Sequence, residues 1–122
     1  MAKSILIVDD TETVLMFERT LLRNRGFEIR VARNGALALQ EVEKSRPDLI
    51  LLDIMMPELD GVETCRRLKA DPATRDIPVL MVTTKGESAM VERAFQAGCN
   101  DYLTKPIDHL ELLSKIQTYL PR

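Results

Sequence analysis

Three acidic side chains, a threonine and a lysine stand where short apolar runs of this chain stop, and together they could hold a phosphoryl group. Ile5-Leu6-Ile7-Val8 runs into Asp9-Asp10, and Leu49-Ile50-Leu51-Leu52 into Asp53. Val79-Leu80-Met81-Val82 ends at Thr83-Thr84, and Tyr102-Leu103-Thr104 ends at Lys105-Pro106. Carboxylates brought together repel: two unit charges about 4 Å apart cost roughly 4 kcal/mol at an effective dielectric near 20. A hard divalent cation relieves this, and an all-oxygen donor set points to Mg²⁺ rather than to a softer metal. A metal alone gives Lys105 and Thr83 nothing to do. A phosphoryl group does: the lysine neutralises one oxygen, the hydroxyl donates to another and the metal takes the third. A carboxylate in such a site can itself be the nucleophile and form an acyl phosphate.

Each residue also has a plainer explanation when taken singly. Asp9 with Glu12 three residues later fits a helix capping box. Asp53 could be a loop acid ahead of Pro57, Lys105 a solvated lysine, and Thr83-Thr84 the cap of the helix that follows. All of these must hold at once, on one rim of one sheet, for the chemical reading to be unnecessary.

The elements that would gather these residues alternate along the chain. After the first run, Val14, Phe17, Leu21 and the adjacent Leu15 and Leu22 form an apolar stripe at helical spacing between Thr11 and Arg25. Gly26 suits a C-cap, and Phe27 to Ala32 alternates as a strand does. Asn34-Gly35 opens a helix with Ala38, Leu39 and Val42 on one face, ending before Pro47. Asp60-Gly61 starts another through Val62, Cys65 and Leu68, and Asp71-Pro72-Ala73-Thr74 is the loop after it. A helix is expected from about Glu87 to Ala97, preceded by Gly86 and closed by Gly98. A last one is expected over 107–120, with Leu110, Leu113, Ile116 and Leu120 in step. Five βα units imply parallel strands joined by right-handed crossovers. The middle strands are apolar on both faces, as buried parallel strands are. The expected fold is a doubly wound, flavodoxin-like three-layer α/β domain, whose ligands bind at the carboxyl ends of the strands.

Composition sets the outer bounds. At 122 residues, 45% of them hydrophobic and 30% charged, the chain has the make-up of one folded domain over 1–122 and not of a disordered tail. A net charge of −2 supplies no general attraction to nucleic acid or anionic lipid. The longest apolar stretch is far too short for a membrane span. Cys65 and Cys99 belong to no CxxC pair, and no secretory signal opens the chain, so they read as reduced, buried thiols of a cytoplasmic protein. His109, the only histidine, reads as a solvated helix residue, which argues against a zinc site built on histidine and cysteine.

The motifs that carry this rim resemble those of the receiver domain of bacterial two-component response regulators, the CheY-like family. The resemblance covers Ile5-Leu-Ile-Val-Asp9-Asp10, Pro47-Asp-Leu-Ile-Leu-Leu-Asp53-Ile-Met-Met-Pro57, Asp60-Gly61, Thr83, Ala97-Gly98 and Tyr102-Leu-Thr-Lys105-Pro106. It implies strand order 2-1-3-4-5 and a phosphorelay switch in which Asp53 takes a phosphoryl group from a histidine kinase's phosphohistidine. It also implies Mg²⁺, with Mn²⁺ as a substitute, on Asp10, Asp53 and the backbone carbonyl of Met55, with Asp9 acting through water. Lys105 would pair with the phosphoryl group, backbone at Ile54 and Thr84 would bind its oxygens, and Lys105-Pro106 would be a cis peptide. Thr83 and Tyr102 match the family's switch pair, the ring turning into space that the hydroxyl leaves. The partners implied are a sensor histidine kinase or phosphotransfer protein, and an output protein or domain. The latter would be met through the helix after Gly86, the Tyr102 strand and the last helix, where Met90 and Val91 are candidate contacts.

Met55 and Lys85 stand two residues beyond Asp53 and Thr83, at places where related receivers tune hydrolysis. A thioether is a poor partner for an attacking water, so at most slow self-dephosphorylation is expected. Two other classes compete. A haloacid-dehalogenase-like phosphatase would carry a second acid where Met55 stands, and a receiver-like scaffold would have no use for the acids and Lys105. A nucleotide-binding protein lacks its GxxxxGK[ST] or GxGxxG here.

Overall fold

The computed structural model of the protein describes residues 2–54, 60–84 and 88–120. Among the described residues, five strands alternate with five helices. They are β1 (Ser4–Val8), α1 (Glu12–Arg23), β2 (Glu28–Ala32), α2 (Gly35–Lys44), β3 (Leu49–Asp53), α3 (Gly61–Ala70), β4 (Val79–Thr84), α4 (Ser88–Gln96), β5 (Asp101–Lys105) and α5 (His109–Tyr119). All neighbouring strands pair in parallel, in the order β2-β1-β3-β4-β5. The doubly wound fold read from the sequence is the fold observed.

The two-residue period of each strand divides the core into two. On one face Leu6, Val8, Ile50, Leu52, Val79 and Met81 pack under α2, α3 and α4, through Ala38, Val42, Val62, Cys65, Leu68 and Ala94. On the other, Ile5, Ile7, Leu49, Leu51, Leu80 and Leu103 pack under α1 and α5, through Leu15, Leu22, Leu112 and Ile116. Every residue of β3 is buried, which is why that strand reads as an unbroken apolar run.

Local chemistry sets the helix ends. Asn34 and Asp60 accept from the N–H groups of Leu37 and Glu63, each at 2.8 Å, and Asp108 accepts from Leu110 at 3.0 Å. Each satisfies an otherwise orphaned donor of a first turn. Gly26 and Gly98 have φ of 89° and 103°, the left-handed conformation that ends a helix without strain only at glycine.

Two helix faces differ from expectation. On α1 the stripe that meets the sheet is Leu15, Glu18 and Leu22, while Phe17 is 48% exposed. On α5, Leu112 is buried and Leu110 is 66% exposed. In both, the neighbour 100° round the helix goes inward: Leu15 and Leu22 are buried where Val14 and Leu21 are half-buried, and Leu112 where Leu113 is half-buried. His109 is exposed, as expected. Cys65 and Cys99 are free and buried, and burial pushes their thiols up to about 11 and about 12, the behaviour of small hydrophobes rather than nucleophiles.

Candidate functional site

Register brings the distant motifs to one height. Val8 lies level with Leu52, Asp53 with Val82, and Thr83 with Thr104. Asp9 follows Val8 and Lys105 follows Thr104, so four strands deliver their polar residues to the same rim. The β3 end is held from below by α3. Gly61 donates its N–H to the Ile54 carbonyl at 3.0 Å, and a Cβ at Gly61 would run into the Asp53 carbonyl oxygen and Ile54 Cα. Only glycine permits that approach.

Lys105 is the keystone of the rim. Its Nζ lies 3.2 Å from Asp9 Oδ2 and 3.3 Å from Asp53 Oδ2. Asp9 and Asp53 are 2% and 4% exposed. Burial pulls the Lys105 ammonium towards a lower pKa, but the Asp53 and Asp9 carboxylates and their hydrogen bonds more than offset it, so the net shift is upward. A lysine ammonium between two buried carboxylates is a tightly held charge. Asp10 stands exposed beside them, and Asp9, Asp10 and Asp53 each offer a carboxylate oxygen within 4.8 Å of the others. Three hard oxygens converging so closely fit Mg²⁺. The capping-box alternative for Asp9 is not what forms: the N-cap of α1 is Thr11, and Asp9 Oδ1 accepts the Thr11 N–H at 2.8 Å. Glu12 pairs with Arg33 instead.

The remaining expected residues divide. Thr83 is buried, its hydroxyl donating to the Thr84 carbonyl at 3.5 Å, the weak limit of a hydrogen bond. Tyr102 is half-buried on β5, facing α4 and α5. Thr84 is the exposed last residue of β4, and the Lys105-Pro106 peptide is cis. The Ile54 backbone N–H donates to the Val82 carbonyl at 3.0 Å. Met55, Lys85, Gly86 and Glu87 lie outside the described residues. On α4, Met90 leans on the core and Phe95, at 45% exposure, is the prominent exposed apolar residue.

Glu18 was not foreseen. It is a buried acid on the sheet face of α1, with Oε2 lacking a hydrogen-bond partner. Burial raises its carboxyl to about 8; Asp9 adds to the rise, Lys105 opposes it and Asp53 adds again. Counting helical steps from Leu15 (i+3) and back from Leu22 (i−4) would have found it.

A family model for the response regulator receiver domain matches residues 5–117. This chain is a receiver domain of the two-component response regulators. The receiver is 41% identical over 120 residues to the polar-differentiation response regulator DivK of Brucella anthropi, covering 98% of both chains. It is 38% identical over 118 residues to the response regulator PleD of Caulobacter vibrioides, with 97% of this chain matched but only 26% of PleD. The receiver thus spans about a quarter of PleD and nearly all of DivK. Among solved structures, the receiver domain of the sensor histidine kinase PA1611 of Pseudomonas aeruginosa, with a magnesium ion coordinated in its active-site cleft, superimposes with a TM-score of 0.92. It is 30% identical and each chain is fully covered. Among the described residues, no helix of the receiver is long and apolar enough to cross a membrane.

Proposed function

We propose that Asp53 of this receiver accepts a phosphoryl group from a phosphohistidine of a partner protein, and that Thr83 and Tyr102 relay the event to the surface around β5. The observation that carries the reading is the Lys105 ammonium between two buried carboxylates, 3.2 Å from Asp9 and 3.3 Å from Asp53. An Asp53 oxygen attacks phosphorus, the P–N bond breaks and its electron pair stays on the imidazole nitrogen. The product is an acyl phosphate.

Asp10 and Asp53 would hold Mg²⁺, with Asp9 acting through water and the Met55 carbonyl as the resemblance implies, and the ion would supply neutralisation of charge between carboxylate and phosphoryl group. Lys105 is already aimed at the reacting carboxylate and neutralises a phosphoryl oxygen with little motion. The Thr83 hydroxyl, weakly held at 3.5 Å, turns to a second oxygen, and the backbone N–H of Thr84, the last residue of β4, is a further donor. Thr83's turn opens space beside Tyr102, and the domain's two forms exchange population accordingly.

The donor is a sensor histidine kinase or phosphotransfer protein of the cytoplasm, and the output partner meets α4, β5 and α5. The domain is a switch, not a turnover enzyme, with slow self-dephosphorylation set by Met55. Acetyl phosphate with Mg²⁺, read by intact mass, tests this. One phosphoryl group should add to the parent chain, none without Mg²⁺ and none to Asp53→Asn. Continuous turnover without a labelled species would make the protein a phosphatase, and no reaction at all would make it a scaffold.

A further inference from the structure

The Tyr102 ring is gripped from two sides by residues that the phosphorylation chemistry does not use. Phe95 of α4 meets it edge to face, with centroids 5.9 Å apart and planes at 88°. Lys115 of α5 holds its Nζ 5.1 Å from the ring centroid. That ammonium is itself fixed. It donates to the Tyr102 carbonyl at 2.5 Å and to Asp101 Oδ1 at 3.1 Å, and Glu111 Oε2 lies 3.7 Å away. Among the described residues, by contrast, the Thr83 hydroxyl has only its 3.5 Å bond to Thr84 to give up. The resistance to switching therefore sits on the aromatic side.

We propose that Phe95 and Lys115 form a latch that keeps the Tyr102 ring between α4 and α5, and that the strength of this latch sets how readily the domain switches. The proposal rests on the reading of Thr83 and Tyr102 as the switch pair. A ring that turns towards Thr83 loses the Phe95 edge contact and the Lys115 charge together. Linkage then runs in both directions: a looser latch populates the switched form without phosphate, and tightens the binding of whatever favours that form. Releasing Tyr102 also strips the half-exposed Phe95 of its ring partner, so the latch ties the buried event to the surface.

The test titrates beryllofluoride, a phosphoryl analogue, with Mg²⁺ into the full chain while following tyrosine ring signals by NMR. There are two tyrosines to assign, Tyr102 and Tyr119. Phe95→Leu keeps apolar bulk without the ring, Lys115→Gln removes the charge, and Lys115→Arg retains it. Each loosening variant should bind the analogue about threefold tighter and the double variant about tenfold tighter. Their Tyr102 signals should already lie partway to the analogue-bound positions, while Lys115→Arg tracks the parent. If Phe95→Leu and Lys115→Gln both bind like the parent or more weakly, with Tyr102 signals unmoved, there is no latch. A parent chain whose spectrum ignores beryllofluoride would instead refute the phosphoacceptor reading on which the latch depends.

Discussion

Two lysines at opposite ends of the strands show how the same side chain can be put to different uses. Lys105, at the carboxyl ends of the strands, faces two buried carboxylates, and its affinity for the proton rises. Lys69, near the amino ends of β4 and β5, donates to three uncharged acceptors: the Arg75 and Ile77 carbonyls at 3.0 and 2.7 Å, and Asn100 Oδ1 at 3.0 Å. Burial dominates there, and its pKa falls. Asn100 Oδ1 also takes the Val79 N–H at 2.9 Å, so the Lys69 cluster ties the end of α3 to the starts of β4 and β5. One lysine answers two buried carboxylates at the rim where we propose that the phosphoryl group enters. The other is saturated by neutral oxygens and has nothing left to offer a ligand.

Substitutions at the two lysines should therefore separate cleanly. Lys105→Met should slow phosphoryl transfer from acetyl phosphate by about 100-fold, the scale of losing one preorganised charge in a reacting site, as stopped-flow or timed mass measurements would read. Lys69→Met should leave the transfer rate alone and lower unfolding stability by about 1–3 kcal/mol, because three acceptors lose their donor. Equal loss of rate at both positions would erase the distinction. Asp10→Asn sharpens it from the anionic side: Mg²⁺ affinity by calorimetry should fall by about tenfold or more, one carboxylate charge being worth over 1.4 kcal/mol so close to a divalent cation.

Glu18 gives a smaller effect, visible in pH. Its folded pKa of about 8 stands above the ordinary 4.5, so between these values the folded chain holds a proton that the unfolded chain has released. Stability from this group is complete below pH 4.5 and drains away as pH rises through 8. Glu18→Gln should flatten that slope in denaturant titrations and make the protein more stable at pH 8.5, by roughly 2 kcal/mol. A parent chain whose stability is level from pH 5 to 8.5 would contradict the burial of this carboxyl.

The polar rim was readable because parallel strands bury continuous apolar runs and leave their termini as the abrupt changes in the sequence. Asp9, Asp53, Thr83 and Lys105 all stand at such changes, and register did the rest. What escaped was finer than a pattern of types. Glu18 stands between Leu15 and Leu22 on the buried face of α1, and a stripe read through Val14, Phe17 and Leu21, with Leu15 and Leu22 beside it, passes over the acid among them. Phe95 and Lys115 carry no motif, and their grip on Tyr102 exists only once α4 and α5 flank β5.

Lys105 and Asp53 are 52 residues apart in the chain, and that separation governs when the protein becomes competent. A nascent polypeptide extended through α4 already contains Asp9, Asp10, Asp53 and Thr83, yet it lacks their cationic counterpart until the fifth strand docks. Chemical readiness thus arrives with the last long-range pairing of the sheet. Labelling by a small-molecule donor would serve as a clock for completion of folding, silent for every truncated or half-assembled species.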